Sequence, residues 1–368
     1  MTDDFVEAGR NRVATMTETD RKCSACGGVM DFDPATAGLK CQYCGHTSEL
    51  PGVGGETTRA EELDFASAEQ TGNCDWGAEK KTVICKSCGA ESIYDALQVA
   101  HACPYCGSNQ VMEAKNQNTL APGGVCPFRI DVKTAAVNFR SWLGRKIFCP
   151  GKAKRQAQHE AFQGVYLPYW TFDTQTTSEY SGRYGHRRTR RTRNNKVETY
   201  IEWHSTSGVH QEFINDQLVM GTERYDREIL ARIEPFNTEE NVAYKPEYLS
   251  GFIAERYSIG LRDAWERAKG FIRNKLKRNI ESAIRSRHGA STSEVHSFTT
   301  RHADIKYKYL MLPVWISSFR YKEKIYHFVV NGQTGRVGGR APISPLRVAI
   351  AVVIALIVLC MVLYLDSQ

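Results

Sequence analysis

Eight of the twelve cysteines stand in four like knuckles: Cys23-Ser-Ala-Cys26-Gly27, Cys41-Gln-Tyr-Cys44-Gly45, Cys85-Lys-Ser-Cys88-Gly89 and Cys103-Pro-Tyr-Cys106-Gly107. C-x2-C lets two thiolates approach one ion from a tight turn, and the glycine that follows tolerates the positive φ that aims backbone N–H groups at sulfur. Within each pair the intervening stretch is 14 residues, 27–40 and 89–102, so a whole module repeats at an offset of 62 residues. Two knuckles complete a tetrahedral four-thiolate site with Zn–S near ~2.3 Å. One zinc is therefore expected on Cys23, Cys26, Cys41 and Cys44, and a second on Cys85, Cys88, Cys103 and Cys106. A site closed by four thiolates has no open position, so both metals are expected to be structural, stapling β modules whose cores are too small to stand alone. Disulfides or a thioredoxin-like redox pair are the alternatives, and fourfold matched spacing without a βαβ context weighs against them. Cys74, Cys126, Cys149 and Cys360 lack knuckle spacing and read as buried or lipid-facing thiols.

The elements that carry these residues follow from composition and periodicity. At 368 residues, with 42% hydrophobic and 24% charged residues, the chain has room for two or three domains. A mean hydropathy of −0.43 is incompatible with many membrane spans. One long apolar run exists, Val348 to Leu365, 18 residues without a charge. At ~1.5 Å per residue it reaches about 27 Å, close to the ~30 Å hydrocarbon core. A buried core helix is the alternative, but such helices are rarely apolar on every face. Arg336, Arg340 and Arg347 precede the run and Asp366, Ser367 and Gln368 follow it. The positive-inside bias thus places the body in the cytoplasm, with the run inserted after translation as a tail anchor. Met1 to Arg21 is polar, without the apolar core of a secretory signal. A reducing compartment is expected, where clustered cysteines are metal ligands.

Charge divides the chain. Residues 1–115 hold 10 Lys+Arg against 18 Asp+Glu, a net −8, and the remainder holds 38 against 23, a net +15. The densest cationic run is Arg187, Arg188, Arg190, Arg191 and Arg193, between strand-like Ser178–Tyr184 and Val197–Trp203. It reads as a hairpin tip, either a solvated loop or a contact for phosphate on lipid or nucleic acid. Leu261, Trp265, Ala268, Ile272, Leu276, Ile280 and Ile284, spaced by threes and fours, predict a long helix with a basic outer face. Asp131 to Leu143 predicts a short helix capped by Asp131. Gly164 to Asp173 predicts a strand, and its Leu167-Pro168-Tyr169-Trp170 is echoed by Leu312-Pro313-Val314-Trp315. Ile325 to Val330 predicts another strand, followed by the turn signal Asn331-Gly332-Gln333-Thr334-Gly335. No G-x-x-x-x-G-K-[ST] loop and no G-x-S-x-G elbow occurs, and His159-Glu160-Ala161-Phe162-Gln163 fails the zinc-protease pattern H-E-x-x-H at its last position.

The expected fold is α+β. Residues 1–20 form a disordered N-terminus, 21–50 a first zinc ribbon, 51–80 a linker with a helical turn or two, and 81–112 a second ribbon. Residues 113–341 form a central β-rich α+β domain and 342–368 a transmembrane tail anchor. With these parts placed, the chain resembles a bacterial family of membrane-anchored double zinc-ribbon proteins often labelled primosomal protein N-prime (replication factor Y), superfamily II helicase-like. The resemblance runs from about Cys23 to Pro345. It is carried by the knuckle cysteines, Pro127-Phe128-Arg129-Ile130, the segment Tyr166 to Asp173, and Trp203 with Gly208, Phe213 and Asp216. Pro313-Val314-Trp315 and the turn at Asn331 to Gly335 complete it. It implies a single-pass protein of the bacterial inner membrane with a cytoplasmic N-terminus, serving as a membrane-bound partner for scaffold proteins in envelope maintenance. The resulting expectation is a non-catalytic adaptor with zinc ribbons for protein binding, a membrane helix, and an anionic-lipid contact at the arginine run. The alternative is a zinc-ribbon nucleic-acid-binding protein of replication or repair. Against it, nucleic-acid ribbons normally carry a basic face, and the ribbon half here is acidic.

Overall fold

The computed structural model describes residues 22–28, 30–50, 59–68, 80–85, 89–95, 105, 111–113, 122–157, 162–191 and 197–366. In the first cysteine module, β1 (Met30–Asp33), β2 (Gly38–Cys41) and β3 (Thr47–Ser48) form an antiparallel three-stranded sheet. After β4 (Leu63–Asp64), the second module contributes β5 (Lys80–Cys85), β6 (Glu91–Asp95) and β7 (Val111–Glu113). The body then runs β8 (Gly124–Val125), α1 (Val132–Gly144), α2 (Gly151–Gln156), β9 (Gln163–Arg191), β10 (Val197–Met220), α3 (Arg227–Ala231), β11 (Val242–Ala243) and β12 (Ile253–Glu255). It finishes with α4 (Leu261–His288), β13 (Thr292–Tyr321), β14 (Lys324–Asn331), β15 (Val337–Gly339) and α5 (Pro345–Asp366). The architecture is mixed α+β and mostly sheet: β4 to β15 join one 12-stranded sheet among the described residues.

Its axis is the antiparallel pair β9–β13, and the two L-P-x-W motifs face each other near one end of that ladder, where β9 begins. Leu167 lies opposite Leu312, Pro168 opposite Met311, and Pro313 opposite Tyr166, an arrangement that is unchanged on exchanging the strands. The tryptophans play matching parts: Trp170 Nε1 donates to the Ile259 carbonyl at 2.9 Å and Trp315 Nε1 to the Ile130 carbonyl at 3.1 Å. Each indole thereby ties a loop to the central strands, which satisfies a buried donor and fixes the loop together. Beyond these motifs β10, β9 and β13 continue as a three-stranded arm, with β10 and β13 on either side of β9. The helix α4 lies along it, burying Ala264, Trp265, Ala268, Ile272, Leu276, Ile280 and Ile284. Phe172 meets Trp265 with ring centroids 5.3 Å apart, and Arg273 lies over Phe298 at 4.4 Å. Gly208 faces Tyr180, whose hydroxyl would stand 2.9 Å from any added Cβ, so glycine leaves the room that this tyrosine occupies.

The expected helices and the strand at Ile325 to Val330 are present with small changes of boundary, whereas Gly164–Asp173 and Ser178–Tyr184 merge into the single 29-residue β9 and Val197–Trp203 opens the 24-residue β10. The side chain of Asp131 caps α1, accepting from the Thr134 amide at 2.8 Å. That hydrogen-bonding to Thr134 holds the Asp131 carboxyl below the usual range. The turn at Asn331 to Gly335 links β14 to β15, with Asn331 Oδ1 accepting from the Gln333 and Thr334 amides. Two expectations are corrected. Leu63–Asp64, expected in a linker with helical turns, is a strand that pairs with Tyr307 and Lys306 of β13. The arginine run is not a loose tip. Arg187 to Arg191 belong to β9 and pair with Ile201 to Val197 of β10, because Thr199, Tyr200 and Ile201 favour a strand opposite them. Residues 1–20, Cys74, Cys88, Cys103, Cys106, His159 to Ala161 and Arg193 lie outside the described residues. Cys126 and Cys149 are buried, and Cys360 is exposed on α5. Pro345–Leu363 is long and apolar enough to cross a membrane, and none of it is buried against protein.

Candidate metal centre

The first module gathers Cys23, Cys26, Cys41 and Cys44 so that all four sulfurs lie within 4.8 Å of one another. Two turns do this. The Gly27 amide donates to the Cys23 carbonyl at 2.8 Å and the Gly45 amide to the Cys41 carbonyl at 3.0 Å, with φ of 72° and 74° at the glycines. Cys23 and Cys41 are buried, whereas Cys26 and Cys44 are exposed. Sulfur separations of 3.5 Å for Cys23–Cys44 and Cys26–Cys41 are far too long for a disulfide of ~2.05 Å. They approach the ~3.8 Å edge of a tetrahedron with ~2.3 Å metal–sulfur bonds. The donor set therefore fits a soft, tetrahedral ion such as zinc or iron. The backbone amide of Cys44, with that of Tyr43, pulls the Cys41 thiol down to about 7. At Cys26 the Gly28 amide pulls down as well, but the Cys44 and Cys41 sulfurs outweigh it and the thiol is pushed up to about 12. One anionic sulfur thus suppresses ionisation of its neighbours, and a cation at the centre is what would let all four ionise.

In the second module, Cys85 is buried and its knuckle repeats the same turn: the Gly89 amide donates to the Cys85 carbonyl at 2.9 Å, with φ of 69° at Gly89. Its partners Cys88, Cys103 and Cys106 fall outside the described residues. Both modules rest on one stretch of the body, residues 246–256. The Phe32 amide donates to the Ser250 carbonyl at 3.2 Å, Ser250 Oγ donates to the Met30 carbonyl at 3.0 Å, and the Phe32 ring meets Tyr248 at 5.6 Å. A few residues on, β12 pairs with β6 through Ala254–Ile93 and Glu255–Ser92. Arg224 reaches across this seam, donating from Nη1 to the Glu91 carbonyl at 2.5 Å and approaching Glu255 Oε1 at 3.4 Å. Glu255 is fully buried, and burial pushes its carboxyl up to about 7 against the pull of Arg224 and Thr222.

No protein-family model matches the chain, and no solved structure matches it. One curated relative does. The uncharacterized protein YdjG of Bacillus subtilis (strain 168) is 29% identical over 337 residues, covering 89% of this chain and 91% of its own length.

Of the arginine run, Arg188 pairs with Glu202 at 3.0 Å and Arg190 with Glu198 at 3.4 Å. Arg187 and Arg191 stand opposite Ile201 and Val197, on the other side of the ribbon, and have no ion pair among the described residues. Sequence reasoning missed the role of residues 246–256. It also missed a charged cluster inside the sheet. There Lys308 Nζ lies 2.8 Å from Asp216 Oδ1 and 3.8 Å from Asp173 Oδ2, and the Asp216 amide donates to Asp173 Oδ1 at 2.5 Å. Burial raises the Asp173 carboxyl. The cluster clamps the bulge between Ile214 and Gln217, where Asp216 has a φ of 47°. A lysine inside the aromatic run Tyr307-Lys308-Tyr309 was the available signal: a buried cation needs a buried acid.

Proposed function

We propose that the chain is a membrane-anchored, cytoplasm-facing, non-catalytic adaptor, whose two cysteine modules hold structural zinc and whose first module offers a protein-binding face. Tyr43 carries this reading. The duplication gives Tyr43 a counterpart at Tyr105, 62 residues on, in the same place within its knuckle. Tyr105 is only 8% exposed and packs on Tyr225 of the body with ring centroids 5.1 Å apart. Tyr43 is 81% exposed. One copy of the position is thus engaged in a protein contact while the other presents the same ring to solvent, where a large exposed aromatic favours an interface. A closed four-sulfur centre would serve to hold that ring in place. The α5 helix would tether the face to a membrane, and the resemblance to membrane-anchored double-ribbon proteins supports a scaffold protein as the partner.

Cross-linked affinity purification from membranes tests this. Tyr43→Ala is expected to lose a partner that wild type and Tyr43→Phe retain, with metal content unchanged. Identical partner sets in all three would refute the reading.

A nucleic-acid reading keeps one observation in its favour, the ribbon side that bears Arg187 and Arg191 with Thr189 and Thr199 between them. We read that side instead as an anionic-lipid contact, since the acidic modules oppose a polyanion. Gel shifts at physiological salt separate the two.

A further inference from the structure

At the foot of α5 the body forms a cavity of about 480 Å³, lined among others by Arg145, Lys146, Phe148, Arg232, Arg340 and Ile343. One wall is the 145–150 connection between α1 and α2, and the other is the 340–344 connection from β15 to α5. The two walls are fixed to the first turn of α5. Arg347 donates from Nη1 to the carbonyls of Ile147 at 2.9 Å and Cys149 at 2.8 Å, and the Ser344 amide donates to the Phe148 carbonyl at 2.9 Å. The cavity therefore keeps its place relative to the start of the apolar helix.

Its charge is one-sided. Residues 145–155 carry Arg145, Lys146, Lys152, Lys154 and Arg155 and no Asp or Glu, and residues 339–347 carry Arg340 and Arg347 and no Asp or Glu. The carboxylates that reach Arg340, Asp226 at 2.5 Å and Glu228 at 3.3 Å, are occupied by it. Arg232 gives Nη1 to the Gly339 carbonyl at 3.0 Å and Arg145 gives Nη2 to Ser141 Oγ at 3.2 Å. A guanidinium has five N–H donors in a planar fork, so each keeps donors for a ligand. Beside these cations the surface is apolar and open: Ile147 and Ile343 are each 70% exposed and Leu346 69%. Cations gathered next to exposed aliphatic side chains suit a molecule with an anionic head and a hydrocarbon body.

We propose that this cavity binds the phosphate of an anionic phospholipid from the leaflet that α5 enters, a site that rests on α5 spanning a membrane. The helix starts at Pro345 and its uninterrupted apolar run at Val348, so Arg340 and Ile343 fall at the level where headgroups lie. Arginine binds phosphate through paired N–H donors, and basic pockets beside membrane helices on the cytoplasmic side recognise anionic headgroups in this way. Free phosphate shares the head chemistry but leaves Ile147, Ile343 and Leu346 without a role.

Native mass spectrometry of the full chain in detergent tests the site, using phosphatidylglycerol and phosphatidylcholine of equal acyl length. Wild type is expected to retain one phosphatidylglycerol with at least tenfold preference over phosphatidylcholine. Arg145→Gln with Arg232→Gln should abolish that preference, and the matching pair of Lys substitutions should keep part of it. Arg301→Gln with Lys322→Gln, which removes two cations elsewhere, should leave it intact. Equal retention of the two lipids, or equal loss in both Gln pairs, would overturn the assignment. Displacement by millimolar inorganic phosphate would reassign the site to a soluble ligand. Carbonate extraction of the same samples separates failure of the site from failure of its premise: wild type released as soluble protein would remove the membrane reading and the site with it.

Discussion

Glu255 should make the stability of this protein fall as pH rises from about 4.5 to about 7. Its carboxyl is buried at the seam between β12 and β6, with a folded pKa of about 7 against a reference of 4.5. Below the unfolded value both states hold the proton and the burial cost of the charged form is not felt. Between the two values the unfolded chain releases its proton while the folded chain keeps it, so unfolding becomes easier with each unit of pH. Above the folded value the loss is complete. One pKa unit corresponds to ~1.4 kcal/mol, so the full difference is about 3 kcal/mol, and the group is buried enough for little solvent screening. Glu255→Gln keeps the shape and an oxygen that can accept from Thr222 Oγ1, now 2.8 Å from Glu255 Oε1, but cannot ionise. Any pH-independent cost of the new amide cancels when slopes are compared. Urea midpoints for the detergent-solubilised full chain, read across pH 4.5 to 7.5, should show the Gln variant gaining on wild type by up to about 3 kcal/mol. Parallel profiles would mean that Arg224 and Thr222 hold Glu255 ionised throughout, and the burial argument would fail.

Two further outcomes follow from the centre and the arm. Metal analysis of chain purified under reducing conditions should give about two ions per chain, and Cys103→Ser should lose one while Cys23, Cys26, Cys41 and Cys44 keep theirs, because each closed site draws its ligands from one module. Leu276→Ala, at the fully buried midpoint of α4, should destabilise the arm by about 2–5 kcal/mol in denaturant titrations while leaving metal content unchanged.

What was legible in the sequence is what local rules dictate. Cysteine spacing gave the four-sulfur cluster because C-x2-C geometry is set within one turn. The seven predicted apolar positions of α4 are buried in six cases, with only Leu261 partly exposed at the first turn, because a 28-residue helix shows its face through its period alone. The arginine run misled because propensity judged it without its partner strand. Seven consecutive residues with five arginines look like a loop until Val197 to Ile201 are laid opposite Arg187 to Arg191 and Glu198 and Glu202 pair with Arg190 and Arg188. The Asp173–Lys308–Asp216 cluster was hidden for a related reason. Its members are distant in sequence and meet only through the registers of β9 with β10 and β13, which no window of local periodicity reports.

The same non-local pairing explains how a chain with two small cysteine modules becomes one body. Ser250, which holds the backbone of β1, and Glu255, which pairs with β6, are separated by only a few residues of one short segment. Phe252 lies between them, stacked on Phe128 at 4.4 Å and within 6.4 Å of Phe32, and β12 itself pairs with the root of β9 at Val165 and Tyr166. A shift of the first module therefore moves Ser250 and Phe252, and a shift of the second moves Ala254 and Glu255. Neither can move without disturbing β12, which joins β6 to β9 within the sheet. A metal bound in one module would then stabilise more than its own few strands, because the surface it would brace is shared with the other module and with the strand pair that carries Trp170 and Trp315.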